Sequence, residues 1–130
     1  MGTRTLWSYE VELTAELASA SRSRGFVRRH LSVHGLAHLS DSVELVVSEL
    51  ATNAVLHAGT RFTVSLHAFE DTLLLEVEDG SWTGPCQAVF AEPGAVSGRG
   101  LSIVNLLSRD WGVDTQAGGG KSVWAEFELP

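Results

Sequence analysis

A helical repeat that stops at Gly59 and gives way at once to strict alternation constrains this chain more than any other feature of its sequence. Asp41 followed by Glu44 has the form of a capping box, and helical periodicity then runs to His57. Beyond Gly59, Phe62, Val64, Leu66 and Ala68 alternate with Thr63, Ser65 and His67. Leu73, Leu75 and Val77 then alternate with Glu76 and Glu78, after a turn near Glu70 and Asp71. An amphipathic helix thus feeds a hairpin of two half-buried strands, and the apolar face of that hairpin needs a helical layer to cover it.

The remaining segments fit the same plan. Residues 4–11 read weakly as an edge strand, and Leu13, Leu17, Ala20, Arg24, Val27 and Leu31 recur at helical spacing until Gly35, with Gly25 weakening the middle. The basic cluster of this helix, Arg22, Arg24, Arg28 and Arg29, is either a solvated face or a contact for an acidic partner. Residues 80–97 hold Pro85 and Pro93 and read as loop, and a helix is expected from about residue 100 to 107. Residues 111–116 and 122–129 suggest a last hairpin turned by Gly118, Gly119 and Gly120. The order β-α-α-β-β-loop-α-β-β predicts an α+β fold, a two-layer sandwich with helices packed on one face of a mostly antiparallel sheet. No repeat or linker divides the 130 residues, so one domain over 1–130 is expected.

Composition removes several function classes. Nine Lys and Arg stand against 16 Asp and Glu, and the net charge of −7 repels phosphate backbones and anionic lipid. Direct nucleic-acid binding and membrane binding are therefore not expected. No run approaches the ~18 consecutive apolar residues of a membrane span, and residues 1–7 lack the apolar run of a signal peptide. The lone Cys86 has no internal disulfide partner and no reactive motif, so the cytoplasm is the expected compartment.

On a wheel at 100° per residue, Val43, Val47, Leu50, Ala54 and Ala58 form one apolar stripe of the second helix. Leu45, Glu49, Asn53 and Leu56 gather about 120° away. A carboxylate and an amide one turn apart suit a divalent cation beside a polarised hydroxyl, although such residues also occur as a local polar pair. Asp79 continues the inward parity of Leu73, Leu75 and Val77, which puts an acid on the buried face just before Gly80. Its partner is either an amino group on a planar ligand or its own Asx turn.

The run from Ser97 to Val104 sets Gly98 and Gly100 where a helix starts and where free N–H groups can hold phosphate. Gly118-Gly119-Gly120-Lys121-Ser122 mimics the end of a P-loop, but Thr115 stands where the first glycine is required and a strand follows. The P-loop is rejected, while Lys121 remains available to a phosphate. His30, His34 and His38 lack a carboxylate or thiolate to complete a zinc set and are expected at the surface.

Taken in order, Glu49-x-x-x-Asn53, Asp79-Gly80-Ser81, Gly98-x-Gly100-Leu101 and Gly120-Lys121-Ser122 resemble the N box and glycine boxes of the GHKL family. This is the Bergerat-type ATP-binding fold of histidine kinases, Hsp90, DNA gyrase and MutL. The likeness covers about residues 20–130. Chain length, with the stretches Phe26-Val27-Arg28-Arg29 and Val46-Val47-Ser48-Glu49-Leu50-Ala51-Thr52-Asn53-Ala54-Val55, is similar to the single-domain anti-sigma-factor serine kinases. That resemblance implies ATP and Mg²⁺ as cofactors, Glu49 as general base, Asn53 as Mg²⁺ ligand and Asp79 as adenine reader. It implies further nucleotide contacts at Gly80, Ser81, Gly98, Arg99, Gly100, Leu101, Lys121 and Ser122. Ser81 departs from the family, which commonly has glycine there. The implied function is a serine/threonine kinase that inhibits a sigma factor and phosphorylates an anti-sigma antagonist protein. A homodimer is expected separately, because a sheet covered by helices on one face leaves its other face and the edge strand near residues 4–11 as sites for a second copy. The alternative is a nucleotide-sensing binding module of the same fold without significant transfer.

Overall fold

The structure, a computed structural model, describes residues 4–80, 96–115 and 119–130, with 96–101 as backbone alone. Five strands, β1 (Trp7–Leu13), β2 (Phe62–Ala68), β3 (Thr72–Asp79), β4 (Asp110–Thr115) and β5 (Lys121–Glu128), form one antiparallel sheet in the order β1-β2-β3-β5-β4. Helices α1 (Ala18–Val33), α2 (Ser40–Asn53) and α3 (Val96–Leu107) lie on one face of it, which is the predicted α+β two-layer arrangement.

Alternation explains which face the helices cover. Phe62, Val64, Leu66 and Ala68 of β2 and Leu73, Leu75 and Val77 of β3 are buried, and the register sets Val64 against Val77 and Leu66 against Leu75. Val123, Ala125 and Phe127 extend this surface across β5. The opposite face carries Glu10 and Glu12, Glu76 and Glu78, Asp110 and Asp114, and Glu126 and Glu128, by the parity of their strands. A second copy stacked on this face would meet eight carboxylates with eight of its own.

α2 sits between α1 and α3 and packs on β3, so it is buried on three sides. Val46 and Ala51 are fully buried along with the predicted stripe, and the buried arc from Asn53 round to Ala51 spans about 160° at 100° per residue. Leu45 and Leu56 are 51% and 53% exposed while Asn53 is buried, so the second face opens to solvent at its leucines and closes towards Asn53.

Several local expectations are corrected. No capping box forms at Asp41: the 3₁₀ turn Ala37–Leu39 leads directly into α2, whose N-cap Leu39 makes no side-chain hydrogen bond. The Glu44 carboxylate instead accepts from Ser40 Oγ and, through both oxygens, from Arg28 of α1, at 2.7 Å from Nη2 and 3.2 Å from Nε. A forked guanidinium is a stronger donor to a carboxylate than a backbone N–H, so the bridge between helices takes the group that a cap would use. Leu13 closes β1 rather than opening a helix, and α1 begins after the exposed Leu17. α3 begins at Val96, so Gly98 and Gly100 lie within its first turns.

The three histidines are not alike. His38 is exposed, but His30 and His34 tie α1 to the edge strand β1. Trp7 stacks on His34 with centroids 4.2 Å apart, Tyr9 stacks on His30 at 3.9 Å, and the Tyr9 hydroxyl bonds His34 Nε2 at 2.8 Å. Among the described residues, no helix is long and apolar enough to cross a membrane.

Candidate functional site

Chain connections bring the predicted positions to one end of the fold. Residues 59–61 join the turn after α2 to Phe62, and Phe62 pairs across the ladder with Asp79, the last residue of β3. Thr60 Oγ1 accepts from Gly80 N–H at 3.2 Å, which fastens the two segments. β5 enters the sheet here too, with Lys121 opposite both Asp79 and Thr115. Only Ser108 and Arg109 separate α3 from β4, and Trp111 Nε1 donates to Asn105 Oδ1 at 3.2 Å. A helix packed on its following strand through so short a connection runs antiparallel to it, so the first turn of α3 points to the same end.

Asn53 closes α2 and is 7% exposed. Its Nδ2 has no hydrogen-bond partner among the described residues. Leaving a buried amide unpaired costs about 1–3 kcal/mol, and a polar ligand at this point removes that cost. Glu49, one turn earlier, is half-buried. The helix changes character directly after Asn53: Ala54–Ala58 form a π turn, Gly59 N–H donates to Ala54 O at 3.1 Å, and Gly59 adopts the left-handed conformation. Single π turns recur at functional sites because they re-aim the side chains beside them.

Asp79 and Lys121 are each 5% exposed, with Nζ 2.8 Å from Oδ2. Lys121, expected to face a phosphate, is thus placed on the carboxylate. Burying two ions costs more than an isolated contact returns unless the geometry is good, and removing one partner of such a pair costs about 3–5 kcal/mol. The backbones meet closely at this point, since a Cβ on Gly120 would lie 2.3 Å from the Asp79 carbonyl oxygen.

The structure does not bring every predicted residue together. Ser122 follows Lys121 by one and points to the opposite face of the sheet, where its hydroxyl donates to Glu76 Oε2 at 3.3 Å. The backbone of Gly98, Arg99, Gly100 and Leu101 runs through the first turns of α3; because the helix starts at Val96, the N–H groups left without an intrahelical acceptor end at Gly98, and those of Arg99, Gly100 and Leu101 are taken up by the helix. Ser81, Cys86 and Gly118 lie outside the described residues. Thr60 was missed by sequence reasoning, which had no signal for it. The Asp79–Lys121 contact did have one, because Lys121 shares the inward parity of Val123 and Ala125.

The donor set fits a hydrated divalent cation with a nucleotide. The Asn53 amide offers a hard oxygen or, after a half-turn, an N–H to a phosphate oxygen, and the Glu49 carboxylate lies one turn away. Among the described residues, no group of three or more His, Cys, Asp or Glu forms a protein-only metal cage.

The family model of the histidine kinase-like ATPase domain matches residues 13–127, and the chain belongs to that family. Among solved structures it is similar to the RsbU and RsbW domains of Rv1364c from Mycobacterium tuberculosis, at 19% identity and a TM-score of 0.71, over 95% of this chain and 33% of that one. The chain spans about a third of that protein, and the likeness is one of fold. No curated protein matches the sequence.

Proposed function

We propose that this domain binds Mg-ATP and transfers the γ-phosphoryl group to a serine or threonine hydroxyl of a partner protein. The observation that carries the reading is the buried Asn53 amide, whose Nδ2 has no hydrogen-bond partner among the described residues, at the end of the fold that also holds Asp79, Lys121 and the first turn of α3. Asp79 takes the base, the free N–H groups of the first turn of α3, up to Gly98, take phosphate oxygens, and Asn53 takes the cation. When bound, Mg²⁺ neutralises charge on the β- and γ-phosphates.

Glu49 accepts the proton of the attacking hydroxyl. As its oxygen bonds to the γ-phosphorus, the bond from that phosphorus to the β,γ-bridging oxygen breaks, and ADP leaves with the electron pair. By resemblance, the partners are a sigma factor and an anti-sigma antagonist that carries the phosphorylated serine, in the cytoplasm. A homodimer would use the free edge of β1, because the open sheet face repels its own copy.

Labelled ATP incubated with the chain and its antagonist protein tests the reading. Label on the antagonist supports it. Nucleotide binding without transfer leaves a nucleotide-sensing module, and no binding by calorimetry overturns both.

A further inference from the structure

The open face of the sheet holds a tryptophan that the hydrophobic core does not use. Outward parity on β5 puts Trp124 there, directly opposite Glu76 of β3 and Gly112 of β4. It is half-buried, although it packs in no core cluster and no helix covers this side. The sheet itself supplies the burial: the indole lies down on β4, so close that a Cβ on Gly112 would stand 2.6 Å from its Cζ2 and 2.9 Å from its Nε1. One face of the ring thus rests on backbone and the other is left outward. Carboxylates surround it. Glu76 stands beside it and Glu126 follows two residues on, while Glu78, Asp110 and Asp114 take the diagonal positions. Asp110 faces Glu126 directly across the β4–β5 ladder, a like-charge pair that weakens a sheet. Arg109 reaches Glu126 at 3.5 Å, but Glu78, Asp110 and Asp114 make no ion pair among the described residues. The outward positions of the five strands hold no lysine or arginine.

We propose that this face docks a basic segment of a partner protein, with an arginine side chain laid on the Trp124 ring as its anchor. A guanidinium satisfies both features of the surface at once. Its flat face stacks on an indole, and its N–H groups, spread in one plane, fork onto carboxylates at the edge of the ring. An ammonium matches the charge alone. The same charge turns away other occupants: nucleic acid and anionic lipid are repelled, and a second copy would bring the same carboxylates with it. Tryptophan and arginine are also among the side chains that carry most of the energy of protein interfaces. The surface lies across the sheet from the helical layer that holds Asn53, so the inference stands apart from the nucleotide reading.

Fluorescence anisotropy of labelled hexa-arginine and hexa-lysine peptides, equal in charge, tests this on the whole chain. The wild type is expected to bind the arginine peptide about 3- to 10-fold more tightly than the lysine peptide, the worth of one cation–π contact. Trp124→Thr should bring the two affinities to within about twofold. Glu78→Lys with Asp114→Lys should weaken both peptides by at least about tenfold. Glu16→Lys with Asp41→Lys, the same change of net charge placed near the starts of α1 and α2, should weaken them by less than about threefold. If circular dichroism shows Trp124→Thr unfolded, Gly112→Ala, which pushes the ring off β4 and leaves every charge in place, should narrow the preference instead. Equal binding of the two peptides by the wild type, an unchanged preference in a folded variant, or equal losses from the two charge reversals overturns the proposal. Self-association of the wild type that Trp124→Thr abolishes in sedimentation overturns it too, because the occupant is then a second copy.

Discussion

Trp7 at the start of the edge strand lies flat against His34 just past the end of α1, their rings 13° from parallel. Next to this pair, Tyr9 is sandwiched against His30, which Phe26 meets edge-on at 4.8 Å. Burial, with Arg29 and His34 nearby, holds the His30 imidazole below its ordinary range and so keeps it neutral. An unfolded chain then binds more protons than the native one between about pH 6.5 and the folded value. The stability from this contact is complete above the ordinary histidine range and is lost as pH falls towards the folded value.

Thermal unfolding across pH 5–8 checks that sign. His30→Phe should keep the stack and flatten the slope below about pH 6.5. A separate acid limb should survive. The hydrogen bond from Arg28 holds the Glu44 carboxyl low against its burial, so that contribution is present above the usual glutamate range and lost as pH falls through the folded value. A wild-type melting temperature that rises on going from pH 8 to pH 6 would contradict the His30 assignment.

Two glycines with positive φ separate conformational strain from steric overlap. Gly59 has φ +65 and open space where a methyl would stand, whereas Gly120 has φ +90 and faces the Asp79 carbonyl. Gly59→Ala should cost about 1–2 kcal/mol, the left-handed penalty alone. Gly120→Ala should cost at least about 2 kcal/mol more than that, because backbone must move. Urea midpoints for the two variants measure the difference, and equal costs would remove the close approach of β5 to Asp79.

How much was legible depended on range along the chain. The strands and their inward faces followed from the alternation at Phe62–Ala68 and Thr72–Asp79, because sheet parity is a local property. The same parity placed Ser122 with Trp124 and Lys121 with Val123, but motif order drew both residues into one site. The α2 cap failed because Arg28, on another helix, claims Glu44. The histidine stacks were invisible because Trp7 and Tyr9 come from a strand more than 20 residues earlier. The π turn after Asn53 has no periodic signature of its own.

Glu49 and Asp79 should separate chemistry from binding. Glu49→Ala, on a half-buried position of α2, should bind ATP nearly as wild type while transfer to the partner falls by about 10²–10⁴. Asp79→Asn should weaken ATP by about 1–3 kcal/mol, measured at a temperature where circular dichroism shows the chain folded, since the variant also breaks the contact with Lys121. Wild-type transfer rates in Glu49→Ala would make that residue structural.

The basic surface of α1 is smaller than its sequence suggests, and this sharpens the test of partner binding. Arg24 Nη1 donates to Ser48 Oγ at 2.8 Å and Arg28 forks onto Glu44, so both are committed to α2. Arg22 and Arg29 are exposed and take no part in any ion pair among the described residues. On a chain of net charge −7 they are the charges of α1 left to meet an acidic partner. Exposed rim charges act mainly on association rate, so reversing both to Glu should slow association and flatten its dependence on salt, with ATP affinity unchanged. Surface plasmon resonance at two salt concentrations reads both effects. Identical rates and salt slopes in the double variant would move the partner surface off α1, to the end of the fold where α3 begins and where bound nucleotide can alter it directly.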